Sequence, residues 1–202
     1  MKKHTQNCLP MGRFQPALAL VALTLLASLA LPPSQGPLVG DAGAQARAHC
    51  SHTGVRPARV SLHYLRRSVR CLVNRARGRH KLRSLRISRK LRQAATGHSR
   101  QMVKYRFFSH GGLGGSTTRS RIAGTGYFAS ARSYSYGEVI TAGCHRRGSP
   151  KLSFRRWMRS SPHRAEILTP QFREIGVGVA RRDPFGGGGK CATYTVDLGV
   201  RR

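Results

Sequence analysis

Residues 157–180, WMRSSPHRAEILTPQFREIGVGVA, contain the end of one helix, the whole of a second and the start of a strand. Ser161 and Pro162 restart a short helix, serine as the cap and proline in the first turn, that runs through HRAEIL. Ile175, Val177 and Val179 then alternate with smaller residues, which is the two-residue period of a strand. Tyr194, Val196 and Leu198 repeat that period, and DPFGGGGK (183–190) between the two runs is a flexible turn, so the last third reads as a β-hairpin. Helices covering a small sheet of this kind give an α+β fold.

Going toward the N-terminus, Ser149 and Pro150 open another helix, with Phe154, Trp157 and Met158 facing inward. YSYGEVI (134–140) reads as a strand, and Thr117–Ala123 as a short helical piece. The glycine-rich 111–115 segment is no phosphate loop, because it follows a helix and lacks the lysine of that pattern; its role is to turn the chain sharply and present His110. A helix opening at Ser88 carries Leu91, Ala94, Ala95, His98, Met102 and Tyr105 on one face, and His98 reads as a packed core histidine. Leu62, Leu65, Val69, Leu72, Val73 and Ala76 form the apolar stripe of a first helix, with Gly78 as its stop signal. His145, between Cys144 and two arginines, reads as a solvated loop residue. There is no internal repeat and no second domain.

Lys2, Lys3 and Arg13 precede the apolar run ALALVALTLLASLAL (17–31), and small residues follow it, which is the pattern of a secretory signal. Cleavage after Ala44 or Ala46 fits the small-residue rule; an uncleaved signal anchor is the alternative. The division expected is 1–44 signal peptide, 45–59 a loose N-terminal extension and 60–202 the folded domain, large enough for one core. Export leaves Cys50, Cys71, Cys144 and Cys191, an even number that predicts two disulfides. Three pairings are open. Cys50–Cys71 with Cys144–Cys191 is favoured, since the first staples the extension to the first helix and the second ties a loop to the last strand.

The formal charge is +31, with 37 Lys and Arg against 6 Asp and Glu. Loss of residues 1–44 removes only Lys2, Lys3, Arg13 and Asp41, so the mature chain stays strongly cationic and will be drawn to anionic surfaces. The arginines are spread along the chain without basic-aromatic stacking motifs, so no specific nucleic-acid partner is expected. Lipid or an anionic cell-envelope polymer is the partner class expected, for a monomer.

Taken together, CLVNRARGRHKLRSLRISRKLRQAATGHSRQMVKYRFFSH (71–110), GYF (126–128), YGEVI (136–140), WMRSSPHRAEILTPQFREIGVGVA and YTVDLG (194–199) resemble the CAP superfamily in its bacterial secreted form. That superfamily includes cysteine-rich secretory proteins, venom antigens and plant pathogenesis-related proteins. The resemblance implies a single-domain three-layer α-β-α sandwich with a cleft holding two histidines and two glutamates. By motif, His110 and His163 match the histidines and Glu138 the first glutamate, while Ser160 stands where the second glutamate is usual. Val139 and Glu166 stand where the family has asparagines. The cleft residues expected are thus His110, Glu138, His163 and Ser160, with His163 facing His110 and Glu138.

Two imidazoles and a carboxylate can share protons, or can hold a divalent metal such as zinc through His110, Glu138 and His163. Residues 45–202 have only Glu138, Glu166, Glu174, Asp183 and Asp197 as carboxylates. Glu166 and Asp197 look like poor partners for the histidines, and no serine sits in a GxSxG elbow, so no catalytic residue is assigned. The function expected is a secreted, non-enzymatic binder of an extracellular lipid or anionic envelope ligand. The alternatives are a metal-dependent hydrolase or peptidase using His110, Glu138 and His163, and a cationic defence or attachment protein acting by charge.

Overall fold

The structure is a computed structural model that describes residues 49–202, so the signal peptide expected at 1–44 lies outside the described residues. Helix α1 (Leu62–Arg79) buries Leu65, Val69, Val73 and Ala76, the stripe expected. Gly78 does not stop it. The helix runs on to Arg79, and Lys81 takes the left-handed turn with φ 56°. What holds this end is Arg77, fully buried, whose guanidinium donates to the carbonyls of Arg83, Ile167, Thr169 and Phe172 at 2.9–3.3 Å. The tertiary anchor outweighs the weak local preference of a glycine for ending a helix.

Strand β1 (Arg86–Ile87) is short, and Ser88 caps α2 (Arg89–Lys104) by accepting from the Leu91 N–H. Tyr105 lies beyond the last turn and is exposed, so it is not part of the buried face. Helix α3 (Thr118–Gly124) starts with a reciprocal Thr117–Ser120 capping box. Strand β2 (Tyr134–Cys144) is longer than the expected 134–140. Then come α4 (Pro150–Arg159), α5 (Ser161–Leu168), β3 (Glu174–Arg181) and β4 (Cys191–Arg201). The residue flanking α5 is Ser160, with Ser161 and Pro162 as its first two helical positions, one place earlier than the sequence suggests.

The sheet order is β1-β3-β4-β2. β3 and β4 form the hairpin expected, with Ile175, Val177 and Val179 opposite Leu198, Val196 and Tyr194. β4 also pairs along its whole length with β2, and β1 adds a parallel edge to β3. On one face the core joins Leu65, Val69 and Val73 of α1 to Trp157, Ile167, Phe172 and the hairpin side chains. On the other face α2 lies directly on the strand, because Gly176 and Gly178 carry no side chain; a Cβ there would meet the backbone around Leu91 and Ala95. The result is the three-layer α-β-α sandwich expected.

Both disulfides form as favoured, Cys50–Cys71 and Cys144–Cys191. The second links residues directly opposite each other in β2 and β4. The described part of the extension is better held than a loose lead-in. Ser68 Oγ donates to Ser51 O at 2.8 Å, and the Lys151 N–H donates to Thr53 O at 2.7 Å.

Candidate ligand cleft

His110 follows α2 on a loop that two side chains fix. His98, fully buried as a core histidine, donates from Nε2 to Ser109 O at 2.9 Å, and Arg121 Nη2 donates to His110 O at 2.9 Å. Gly114 and Gly115, at φ 61° and 73°, then turn the chain toward α3, the use expected of this segment. His110 Nδ1 donates to Glu138 Oε1 at 2.8 Å, and Thr118 Oγ1 donates to the same oxygen at 3.1 Å. Arg121 Nη2 donates to Glu138 Oε2 at 2.8 Å. The Glu138 side chain is only 2% exposed, whereas the His110 side chain is 52% exposed. Burial would raise the pKa of Glu138, but its hydrogen bonds to His110 and Arg121 and the charges of Arg121 and His98 win, and it is held below the usual carboxylate range.

Asp197 stands directly across from Glu138 in the β2–β4 ladder and is sealed from solvent. Its pKa is pushed well up, first by burial and then by the Glu138 charge. Two carboxyls in contact cannot both ionise there. Asp197 keeps the proton and Glu138 the charge.

His163 comes from the other direction. Trp157 Nε1 donates to Ile140 O at 2.9 Å, pinning α4 to β2, and the chain turns at Ser160 into α5. Ser160 Oγ and His163 Nδ1 share a 2.7 Å hydrogen bond, so the residue standing at the usual second-glutamate position orients the second imidazole. The His110 and His163 rings face one another with centroids 6.5 Å apart and planes 32° from parallel. Burial, then the His110 charge, lowers the pKa of His163, favouring neutral imidazole. Glu166 lies over Gly137, on the opposite side of β2 from Glu138. Burial raises its pKa, and the His110 charge partly offsets this.

His110, Glu138, His163 and Ser160 are therefore brought together, with Asp197, set aside on sequence, beside Glu138, and with Glu166, on the other side of β2, within reach of the His110 charge. Thr118 and Arg121 were missed. Their i, i+3 spacing on α3 puts them on one face, but nothing in the chain says which strand that face meets. As a metal centre the three expected ligands do not fit as a set. Glu138 already accepts on both oxygens, and the one group of three His, Cys, Asp or Glu donors within 4.8 Å of one another among the described residues is Cys144, Asp183 and Cys191, whose sulfurs are joined. Each ring is held through Nδ1, and among the described residues neither Nε2 makes a hydrogen bond.

The pattern of the cysteine-rich secretory protein (CAP) family matches residues 71–196. The chain belongs to the CAP family. Among solved structures it is similar to an extracellular SCP-domain protein of Bacillus anthracis, with 24% identity and a TM-score of 0.56 over 71% of this chain and 44% of that one. This CAP protein therefore spans less than half the length of that relative. It is also similar to an outer surface protein of Borrelia burgdorferi, with 18% identity and a TM-score of 0.54 over 66% of this chain and 90% of that one. At such identities the likeness is one of fold. No curated protein matches by sequence.

Proposed function

We propose that this CAP protein is a secreted, non-enzymatic binder of an anionic extracellular ligand, a lipid or an envelope polymer, engaged through the His110–His163 cleft and the basic surface. The carrying observation is the disposition of its carboxylates. Glu138 and Asp197 are buried together, Glu174 accepts from Tyr127 and faces Arg201, Asp183 accepts from the Phe185 and Gly187 N–H groups of the hairpin loop, and Glu166 lies over Gly137. Apart from Arg77, buried on carbonyls, Arg121, paired with Glu138, and Arg201, beside Glu174, the described arginines have little to neutralise them. A cavity of about 700 Å³ is lined by Arg56, Arg146, Arg147 and Arg156, four cations against the one carboxylate of Asp183, and by the exposed Phe185.

Export is supported by the apolar N-terminal run and the two disulfides, and by the extracellular and outer-surface settings named for the two similar proteins. Hydrolysis is disfavoured by the same geometry. Glu138 is saturated with donors and held ionised by them, and His163 is paired to Ser160 through Nδ1 with no carboxylate bonded to its other nitrogen. A divalent ion such as zinc would be held by the two Nε2 atoms and would supply a positive pole for an anionic ligand group.

Purified secreted protein is mixed with phosphatidylglycerol or phosphatidylcholine vesicles, and with envelope extract followed by mass spectrometry of what it retains. Retention by the anionic vesicles alone, and its loss near 1 M salt where screening shortens to about 3 Å, is expected. Salt-independent capture of an uncharged compound would refute the reading. For the cleft, zinc titration calorimetry should show weak binding that disappears in the His110→Ala/His163→Ala double variant; unchanged affinity would remove the histidines from any metal role.

A further inference from the structure

A second basic feature lies away from the cleft, at the β1 edge of the sheet, where residues of α1 and α2 meet β3. β1 pairs with β3 only at Glu174 and Ile175, so from Val177 onward this edge has no strand partner among the described residues. A cavity of about 80 Å³ opens there. Its rim is Arg66, Arg67 and Arg70 from α1 with Arg92 from α2, and its floor is apolar, from Ile175 and Val177.

Arg66 carries the inference. Its Nε is sealed from solvent and has no hydrogen-bond partner among the described residues. The charges that reach its guanidinium are those of Arg92 and Arg100, both repulsive, with no carboxylate among them; burial is the larger cause of its lowered pKa. The five described carboxylates are all placed elsewhere, so the described residues supply no counter-ion. A partly buried guanidinium with an orphaned donor and like-charged neighbours is costly unless an anion completes it.

We propose that this pocket binds a phosphate-type oxyanion, seated on Arg66 and clamped by Arg92 from the helix on the other face of the sheet. The size fits. The cavity has room for one tetrahedral group. Guanidinium forks match phosphate oxygens in pairs, and several cations around one site favour a multiply charged anion over a carboxylate. Ile87, 53% exposed beside the pocket, gives an apolar neighbour to a phosphate that carries a lipid tail. The site stands on its own geometry and does not depend on the cleft.

The test is calorimetric titration of the exported chain with inorganic phosphate at about 0.15 M salt, where unspecific surface attraction is largely screened. Saturable one-to-one binding is expected. Arg66→Lys, which keeps the charge but loses the fork, and Arg92→Gln should each weaken it about ten-fold or more, the worth of one charge-assisted hydrogen bond. Arg155→Gln/Arg159→Gln on α4 should leave it unchanged. Circular dichroism checks folding, and Arg67→Gln replaces any variant that fails to fold. Phosphatidic acid vesicles identify the source: binding that falls with the same α1 and α2 variants means a lipid headgroup, and binding that ignores them means the free ion. Absence of saturable phosphate binding, or equal loss in the α4 variant, overturns the proposal, and neither outcome touches the cleft.

Discussion

Asp197 shows how one buried proton ties the cleft to pH. Its folded pKa is raised, so relative to the unfolded chain it stabilises most below the ordinary carboxylate pKa of about 3.9 and loses that contribution as pH rises toward its folded value. Glu138 runs the other way. Its folded pKa is lowered, so its contribution is present above the unfolded pKa and is lost as pH falls through the folded one. Asp197→Asn keeps a donor for Glu138 without needing the proton. It should make thermal stability less dependent on pH between about 5 and 8 than in the wild type, with a gain at the alkaline end. Because the lowered pKa values of His98 and His163 make stability rise with pH over part of this range, the readout is the difference between the two proteins, and an Asp197→Asn profile that parallels the wild type would show that Asp197 is not the proton holder. Glu138→Gln, by contrast, leaves Arg121 and His110 without their anion, and a loss of about 3–5 kcal/mol is expected from chemical denaturation, as when one partner of a buried ion pair is removed.

At the scale of elements, two glycine substitutions should have opposite signs. Gly78 lies inside α1 with open space around it, so Gly78→Ala should stabilise by about 0.5–1 kcal/mol through helix propensity and chain entropy. Gly178→Ala puts a methyl into the backbone of α2 at Ala95 and should cost about 1–3 kcal/mol or more, because a helix backbone cannot step aside as a side chain can. Urea midpoints of the two variants check both signs. The contrast has a lesson about what is legible. IGVGV announces a strand by its period, and its valines announce an inward face. That its glycines are there to receive a helix backbone appears only once α2, some 80 residues earlier, is laid across them. Gly78 was misread for the same reason, since Arg77 reaches carbonyls 90 to 95 residues away and holds the helix through the glycine.

For the whole molecule, the disulfides and the charge act together. Repulsion among so many arginines favours expansion, and the two cross-links restrain the unfolded chain over separations of 21 and 47 residues, worth about 3–4 kcal/mol each in the chain-entropy view. Thiol titration of protein exported by its native host should find Cys50, Cys71, Cys144 and Cys191 all oxidised, and reduction should lower the melting temperature most at low salt, where repulsion is unscreened. Four titratable thiols would contradict this.

The amino-acid order by itself determined the elements whose signals are local: the hairpin, the cap at Ser88 and the apolar stripes of α1 and α2; the motif residues His110, Glu138 and His163 came through the family resemblance. Periodicity and capping depend on neighbours within a few residues, so a single chain displays them. The tertiary structure alone decided that Asp197 faces Glu138, that Arg121 and Thr118 close over it, that Ser160 orients His163, and that Arg66 is left without an anion. Each of those depends on which strand lies beside which and on which helix covers them, and such long-range pairings leave no period in the sequence.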